Sequence, residues 1–141
     1  MLYIKQKDYF KILQYCIDLL PYEACGLLSG IKNGEEKYIK KIYFMANTDA
    51  SINHFTMDIK EQFVAVKDMH KNGMQLIGSF HSHPAAAAML SEEDKRLAYD
   101  FNVNYMVLSL MDIKHPVLKA FNIDKWKNVT EETICYIYGK L

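Results

Sequence analysis

Residues 74–94 read MQLIGSFHSHPAAAAMLSEED, which is the most informative segment of the chain. Its first half is apolar and aromatic with small residues in between, which predicts a buried strand that ends near Ser82. Pro84 stops the strand because it has no N–H to give to a strand ladder. Alternate side chains share one face of a strand, so His81 and His83 point to the same side.

A loop over residues 85–90 separates this strand from a predicted helix. Ser91 is a good N-cap, and the acidic residues after it suit the first helical turn. Asp94 lies one turn into the helix, where its carboxylate can reach both histidines. Ser91-x-x-Asp94 also matches a capping box, which needs no metal. The joint presence of two histidines and a carboxylate favours a metal site, since this set suits zinc and leaves a position open for water.

Glu23 is the leading candidate for a general base. It lies in the segment PYEACGLLSG, residues 21–30, where a predicted helix ends and an apolar strand begins. A base must come within hydrogen-bond reach of the water that it deprotonates, and a sequence does not show that distance. A solvated glutamate in a loop therefore stays open as the alternative interpretation.

The combined pattern resembles the signature of the JAMM (MPN-plus, JAB) zinc metalloproteases, and most closely their small prokaryotic branch. The residues that carry the resemblance are Glu23, His81-Ser-His83-Pro84, a six-residue spacer and Ser91-x-x-Asp94. The likeness covers nearly the whole chain, including residues 55–58. It implies an α/β (α+β) fold, with one MPN/cytidine-deaminase-like domain over residues 1–141 and a mixed β-sheet flanked by helices.

The resemblance also implies an activity, namely a zinc-dependent metallopeptidase or isopeptidase that uses a zinc-activated water. The expected substrate is the tail of a ubiquitin-like or sulfur-carrier protein, cut after its C-terminal Gly-Gly. His81, His83 and Asp94 would ligate one Zn²⁺ per chain. Glu23 would act as base and then acid, and Ser91 would bind the oxyanion or hold the group that does so.

Two other functions stay open, and one feature departs from the family pattern. The first alternative is a non-catalytic MPN-type protein-interaction module, and the second is a zinc amidase that acts on small peptides. Many prokaryotic members carry further prolines in the loop before the serine, whereas residues 85–90 read AAAAML here. Fewer φ restraints predict a more mobile loop.

Composition narrows the function classes. The 141 residues are 50% hydrophobic with a formal net charge of zero, as expected for one domain with a real core. Without a long basic run, a nucleic-acid surface is not expected. Neither a signal peptide nor a bilayer-spanning stretch is recognisable, so a cytoplasmic protein without membrane partners is expected. Three scattered cysteines predict buried free thiols. Monomer and homodimer both stay open.

The remaining chain predicts a mixture of helices and hairpins. Helix spacing is found over residues 6–20 and again after an Asp58 N-cap to residue 71, with Phe63, Val66 and Met69 facing inward. Further strands are predicted at residues 25–30, 37–46, 104–110, 117–123 and 130–138, with a turn at Gly34. This mixture favours a mixed sheet flanked by helices. The other histidines, His54, His70 and His115, lack partners at ligand spacing and are excluded from the metal site.

Overall fold

The computed structural model describes residues 1–139, so the last two residues of the single domain expected over 1–141 lie outside them. Within residues 1–139 the chain forms eight strands and three helices. In chain order they are β1 (Leu2–Lys5), α1 (Gln6–Asp18), β2 (Cys25–Asn33), β3 (Glu36–Met45), α2 (Ile59–Lys71), β4 (Gln75–His83), α3 (Glu92–Arg96), β5 (Asn104–Ser109), β6 (Val117–Ile123), β7 (Val129–Glu132) and β8 (Ile134–Ile137). Across these residues, no helix combines the length and apolar character needed to cross a membrane.

All eight strands form one sheet in the order β7-β6-β5-β4-β2-β3-β1-β8. Strand β1 runs parallel to β3 and β8, and β4 runs parallel to β5. The other neighbours are antiparallel, including the predicted β2–β3 hairpin. Gly34 closes that hairpin with a φ of +63°, a conformation that glycine adopts without steric cost. The expected mixed α/β architecture is confirmed.

Helices α1 and α2 cover opposite faces of the sheet. Ile12 and Cys16 of α1 are fully buried in one apolar cluster, whereas Ala65 and Met69 of α2 pack in another against Leu27 and its neighbours. Both pairs are four residues apart, the spacing that places side chains on one helical stripe. The sheet is therefore flanked by helices, as the sequence predicts.

The predicted inward face of α2 is only partly right. Met69 is buried, but Phe63 and Val66 are 62% and 38% exposed. Ala65 faces the sheet instead, because its small side chain lets the helix pack closely. Phe63 precedes Ala65 by two residues, or about 200° of helical rotation, and so lies on the far side. Hydrophobicity alone did not distinguish the two faces.

The predicted single strand over residues 130–138 is wrong. Strand β7 ends at Glu132 and β8 begins at Ile134, and the two occupy opposite ends of the strand order. Residues two apart in a chain are separated by at most about 7 Å. The sheet must therefore curl until its two edges meet at Thr133. The strand-like pattern of the sequence continues across Thr133, because both flanking segments are strands. The sequence pattern therefore does not show that the neighbouring strand changes there.

Strand β1 is absent from the sequence-based expectations, although its alternation is regular. Leu2 and Ile4 are fully buried in the cluster that also receives α1. Its four residues fill the gap between β3 and β8 and so complete the curled sheet.

The expected buried thiols are confirmed for Cys16 and Cys25, while Cys135 is half-buried; all three are free within the described residues.

Candidate active site

Strand β4 delivers the two histidines of the motif to one point. His81 and His83 are buried, with 4% and 6% of their surface exposed. Their Nε2 atoms lie 3.1 Å apart, and the ring centroids are 4.9 Å apart. The alternation along the strand therefore produces the shared face that the sequence predicts.

Asp94 joins the histidines from the first turn of α3. Its Oδ2 lies 3.1 Å from the Nε2 of His81 and 3.3 Å from the Nε2 of His83. The same oxygen accepts the backbone N–H of Ser91 at 2.9 Å, and the Asp94 N–H donates to Ser91 Oγ at 3.0 Å. The capping box is thus formed while the carboxylate faces both imidazoles. The two interpretations of this motif are compatible.

The loop between β4 and α3 is tied at two points. Nδ1 of His83 lies 2.9 Å from the carbonyl oxygen of Ala87, and Ser109 Oγ donates to the carbonyl oxygen of Ala86 at 2.6 Å. A donor role for Nδ1 leaves the Nε2 lone pair of His83 facing the cluster. In metal sites the second ring nitrogen of a ligating histidine commonly donates to a carbonyl or carboxylate in this way. The loop sequence does not reveal these restraints, because Ser109 lies on a different strand.

Glu23 lies directly beside the cluster. Cys25 pairs with His81 across the β2–β4 ladder. The Ser82 N–H donates to the carbonyl oxygen of Ala24, and the Ala24 N–H donates to Ser82 Oγ, so the antiparallel register brings Glu23 opposite His83. Only 4% of Glu23 is exposed. This burial raises the pKa of its carboxyl to about 7, with His83 acting in the opposite direction. The alternative of a solvated loop glutamate is wrong.

The electrostatics of the cluster suit a cation. Burial lowers the pKa of His81, which favours its neutral form. Burial also acts to lower the pKa of His83, but the hydrogen bonds to Asp94 and Ala87 and the nearby carboxylate charges together outweigh it and raise the pKa of His83 above its usual value. Burial also acts to raise the pKa of Asp94, but hydrogen bonds from His81 and His83 outweigh it and keep the pKa below its usual range. A neutral imidazole and an ionised carboxylate are the forms in which these side chains ligate metals.

The spacing of the three ligand atoms matches a tetrahedral metal site. Zinc bonds of about 2.0–2.1 Å to nitrogen or oxygen place the ligand atoms of such a site about 3.3 Å apart. The observed separations in the cluster are 3.1 to 3.3 Å. His81, His83 and Asp94 are the one group of three or more potential ligands that meets this geometry within residues 1–139. The residues therefore fit a zinc ion with an open fourth position.

Two residues near the cluster were not identified from the sequence. The ring of Phe55 stacks on His81, with centroids 4.6 Å apart and an interplanar angle of 27°. The side chain of Asn47 donates to the carbonyl oxygen of Glu23 at 3.0 Å. Both contacts join segments more than twenty residues apart, and no local pattern signals them. The only hint was that residues 55–58 belong to the family resemblance.

A groove of about 300 Å³ leads to the cluster. Its lining includes His81, Ser91 and Asp94, together with apolar side chains from the sheet and the segment after α3. His54 also lines the groove, and its Nδ1 lies 3.2 Å from the carboxylate of Asp49. Such a lining suits an extended, largely apolar segment with a few polar contacts.

Comparisons with known proteins agree with this geometry. The family model described as prokaryotic homologs of the JAB domain matches residues 9–129. The CysO-cysteine peptidase of Mycobacterium tuberculosis is 29% identical over 116 residues, which cover 81% of this chain and 76% of that protein. The desampylase of Pyrococcus furiosus is 28% identical over 88 residues, covering 62% of this chain and 60% of that protein.

Solved structures share the fold. A solution structure of a protein from Desulfitobacterium hafniense has a TM-score of 0.91 and 43% identity, covering 99% of this chain and 94% of that one. A JAB1/MPN domain protein from Archaeoglobus fulgidus has a TM-score of 0.62 and 21% identity, covering 96% and 95%. With most of its length matched by the family model, this chain belongs to the prokaryotic branch of the JAB (JAMM/MPN) family.

Proposed function

We propose that this protein is a zinc-dependent peptidase or isopeptidase that cuts after the C-terminal Gly-Gly of a ubiquitin-like or sulfur-carrier protein. The observation that carries the proposal is the meeting of three ligand atoms at 3.1 to 3.3 Å beside a buried glutamate. We also take residues 1–141 as one catalytic domain, supported by the single sheet that contains every strand within residues 1–139.

His81, His83 and Asp94 would hold the zinc ion. Bound there, zinc would polarise the scissile carbonyl and make a water molecule acidic near pH 7. The carbonyl of Ala87 orients the His83 ring, and the Ser91 N–H orients the Asp94 carboxylate. These outer contacts keep the three side chains converged, and losing such contacts typically weakens metal binding about 10- to 100-fold.

Glu23 would move the proton. Its carboxylate accepts a proton from the attacking water and then donates it to the leaving amine. A pKa of about 7 suits both directions of transfer, because an acid–base catalyst works best when its pKa lies near the operating pH. No nucleophilic side chain takes part, so the buried thiols of Cys16 and Cys25 need no catalytic role.

Ser91 has a hydroxyl proton left for the substrate. Its Oγ already accepts the N–H of Asp94, and it lines the groove. The hydroxyl can therefore donate to a developing oxyanion while the capping box stays intact. One donor aimed at such an oxyanion typically lowers a barrier by about 3 kcal/mol.

The groove and the relatives support the choice of substrate. A Gly-Gly tail has no side chains, so it can lie extended in a narrow apolar groove and bring its last carbonyl to His81 and Asp94. The named relatives are a CysO-cysteine peptidase and a desampylase. Short peptides would also fit a groove of about 300 Å³, so an amidase that acts on them is the second candidate.

The test compares carrier tails with short peptides. Zinc-loaded protein is incubated with a small ubiquitin-fold carrier fused after its Gly-Gly to a reporter, and with free short peptides. We expect cleavage after Gly-Gly, and we expect Glu23→Gln to keep zinc but lose about 100-fold or more in rate. Glu93→Gln removes a nearby exposed carboxylate and serves as the matched control.

Each other result has a definite meaning. Cleavage of short peptides without any cleavage of carrier tails would favour the amidase. A zinc-loaded protein that binds the carrier and never cuts it would favour the non-catalytic interaction module. Equal activity of Glu23→Gln and Glu93→Gln would contradict the role of Glu23.

A further inference from the structure

We propose that Asn47 is a positioning residue that ties the backbone of Glu23 to the loop of residues 47–57. One segment then both lines the groove and fixes the position of the Glu23 carboxylate. The inference rests on the proposed function for the role of the Glu23 carboxylate. The contacts themselves do not depend on that role.

The side-chain amide of Asn47 is fully used. Its Nδ2 donates to the carbonyl oxygens of Glu23 at 3.0 Å and His54 at 3.1 Å. Its Oδ1 accepts the backbone N–H groups of Asp49 and Thr56, both at 3.1 Å. An asparagine amide offers two donors and one oxygen with two lone pairs, so all four positions have partners. One side chain therefore links the base to both halves of the loop.

Glu23 is attached to this loop from two sides. The side chain of Asn47 donates to the carbonyl oxygen of Glu23. The N–H of Glu23 donates to the carbonyl oxygen of Ser51 at 2.8 Å. Strand β2 begins only at Cys25, so neither backbone group of Glu23 belongs to a strand ladder. The position of the Glu23 backbone is consequently set by the loop. Buried backbone polar groups need partners, and this loop supplies both of them.

The same loop is closed and reaches the metal-ligand cluster. Its two ends meet in a bridge between Asn47 and Met57, with the Thr48 N–H donating to the Thr56 carbonyl oxygen at 2.9 Å. Phe55 extends from it and stacks on the ring of His81. Because Asn47 also holds the carbonyl of His54, it fixes the backbone just before Phe55.

The loop also forms part of the groove. Asn53, His54, Phe55 and Met57 line it together with residues of α3 and of the segment that follows. A substrate in the groove therefore contacts the segment that holds Glu23. A misplacement of about 1 Å can cost about 100-fold in rate, so a base needs such support from its backbone.

The test uses Asn47→Asp with Thr48→Ala as its matched control. Aspartate keeps an oxygen towards Asp49 and Thr56 but cannot donate to the carbonyls of Glu23 and His54. Thr48→Ala removes a hydrogen bond of the same loop, from Thr48 Oγ1 to the Thr56 carbonyl oxygen at 3.2 Å, without touching Glu23. We expect Asn47→Asp to lower kcat about tenfold or more, with KM changed less than about threefold and zinc retained. Thr48→Ala should leave kcat within about twofold.

A double variant separates positioning from a general structural role. If Asn47 acts through Glu23, adding Asn47→Asp to Glu23→Gln should reduce the residual rate by less than about twofold, because residues that act as a unit are not additive. An equal loss in both backgrounds would overturn the proposal.

Hydrogen exchange gives a readout that needs no activity. In Asn47→Asp the backbone amide of Glu23 should exchange at least about tenfold faster than in Thr48→Ala, because the loop that protects it opens more often. Equal exchange rates in the two variants would overturn the proposal. If Asn47→Asp does not fold, Asn47→Gln replaces it, since that change keeps the amide but displaces it by one methylene. If the wild-type protein cleaves none of the substrates, the proposed function is wrong. The hydrogen-exchange comparison then still tests whether Asn47 holds the backbone of Glu23.

Discussion

At the residue scale, the carboxylate of Asp94 serves two structures at once. It accepts the Ser91 N–H as part of a helix cap, and it faces the Nε2 atoms of His81 and His83. Hydrogen bonds from His81 and His83, with a smaller contribution from the Ser91 N–H, keep the carboxylate in the ionised form that a metal requires. The cap that starts α3 thus contributes to the arrangement of the site.

The buried carboxyl of Glu23 leads to a prediction on stability and pH. Its pKa rises from an ordinary 4.5 to about 7 on folding, so the native state holds a proton that the unfolded chain releases between these values. This stabilising contribution is present below about pH 4.5 and is lost as the pH rises towards 7. Metal-free Glu23→Gln should therefore gain stability relative to wild type across this window, on the order of 2 kcal/mol.

Urea unfolding at pH 5 and pH 8, with a chelator present, measures this difference. Glu93→Gln controls for the loss of a nearby exposed carboxylate. A stability difference between Glu23→Gln and wild type that is the same at both pH values would show that Glu23 is not buried in the folded protein.

Residue spacing predicted that His81, His83 and Asp94 converge, but not the contacts that support them. The convergence was predictable because strand alternation and helix capping are local rules. The ring of Phe55 and the amide of Asn47 were missed because each acts on a residue more than twenty positions away. Only the folded loop of residues 47–57 brings those contacts together.

At the element scale, α3 matters more for the site than its length suggests. It has five residues, too few for a stable isolated helix, so its position depends on its cap and its contacts. Ser91 and Asp94 form that cap. A weaker cap should therefore disturb the metal site as well as the helix.

Two N-cap substitutions test this dependence. Ser91→Ala removes the acceptor for the Asp94 N–H, and Asp58→Ala removes the acceptor for the Glu61 N–H at the start of α2. Each should cost about 1 kcal/mol of stability. Only Ser91→Ala should also weaken zinc binding, by about tenfold, because it loosens the turn that places the Asp94 carboxylate, although the Ser91 N–H itself remains. Competition with a fluorescent zinc chelator measures the affinity, and equal affinities in the two variants would contradict the dependence.

The positions of most helices and strands along the chain were predictable from the sequence. The buried face of a helix and the neighbour of a strand in the sheet were not always predictable. Caps and glycines located α2 well, from Asp58 to the residues before Gly73. Its buried face was mistaken because the small side chain of Ala65, not the bulk of Phe63, meets the sheet. The break at Thr133 was invisible because alternation is the same on both sides of it.

At the scale of the whole molecule, the curled sheet brings the site together. Strands β2 and β4 are central neighbours, and their ends carry Glu23 and the two histidines. Strand β5 lies beside β4 and contributes Ser109, which ties the loop before α3. Pairing between distant strands creates this arrangement, so the family resemblance, and not periodicity, predicted it.

Elemental analysis of the purified protein measures whether His81, His83 and Asp94 hold a zinc ion. We expect about one zinc per chain in wild type, and none in a variant with His81→Ala, His83→Ala and Asp94→Ala combined. The exposed His115, which pairs with Asp112 outside the cluster, provides the control substitution His115→Ala, which should keep its zinc. Equal zinc content in the triple variant and in wild type would show that these three residues do not hold the metal.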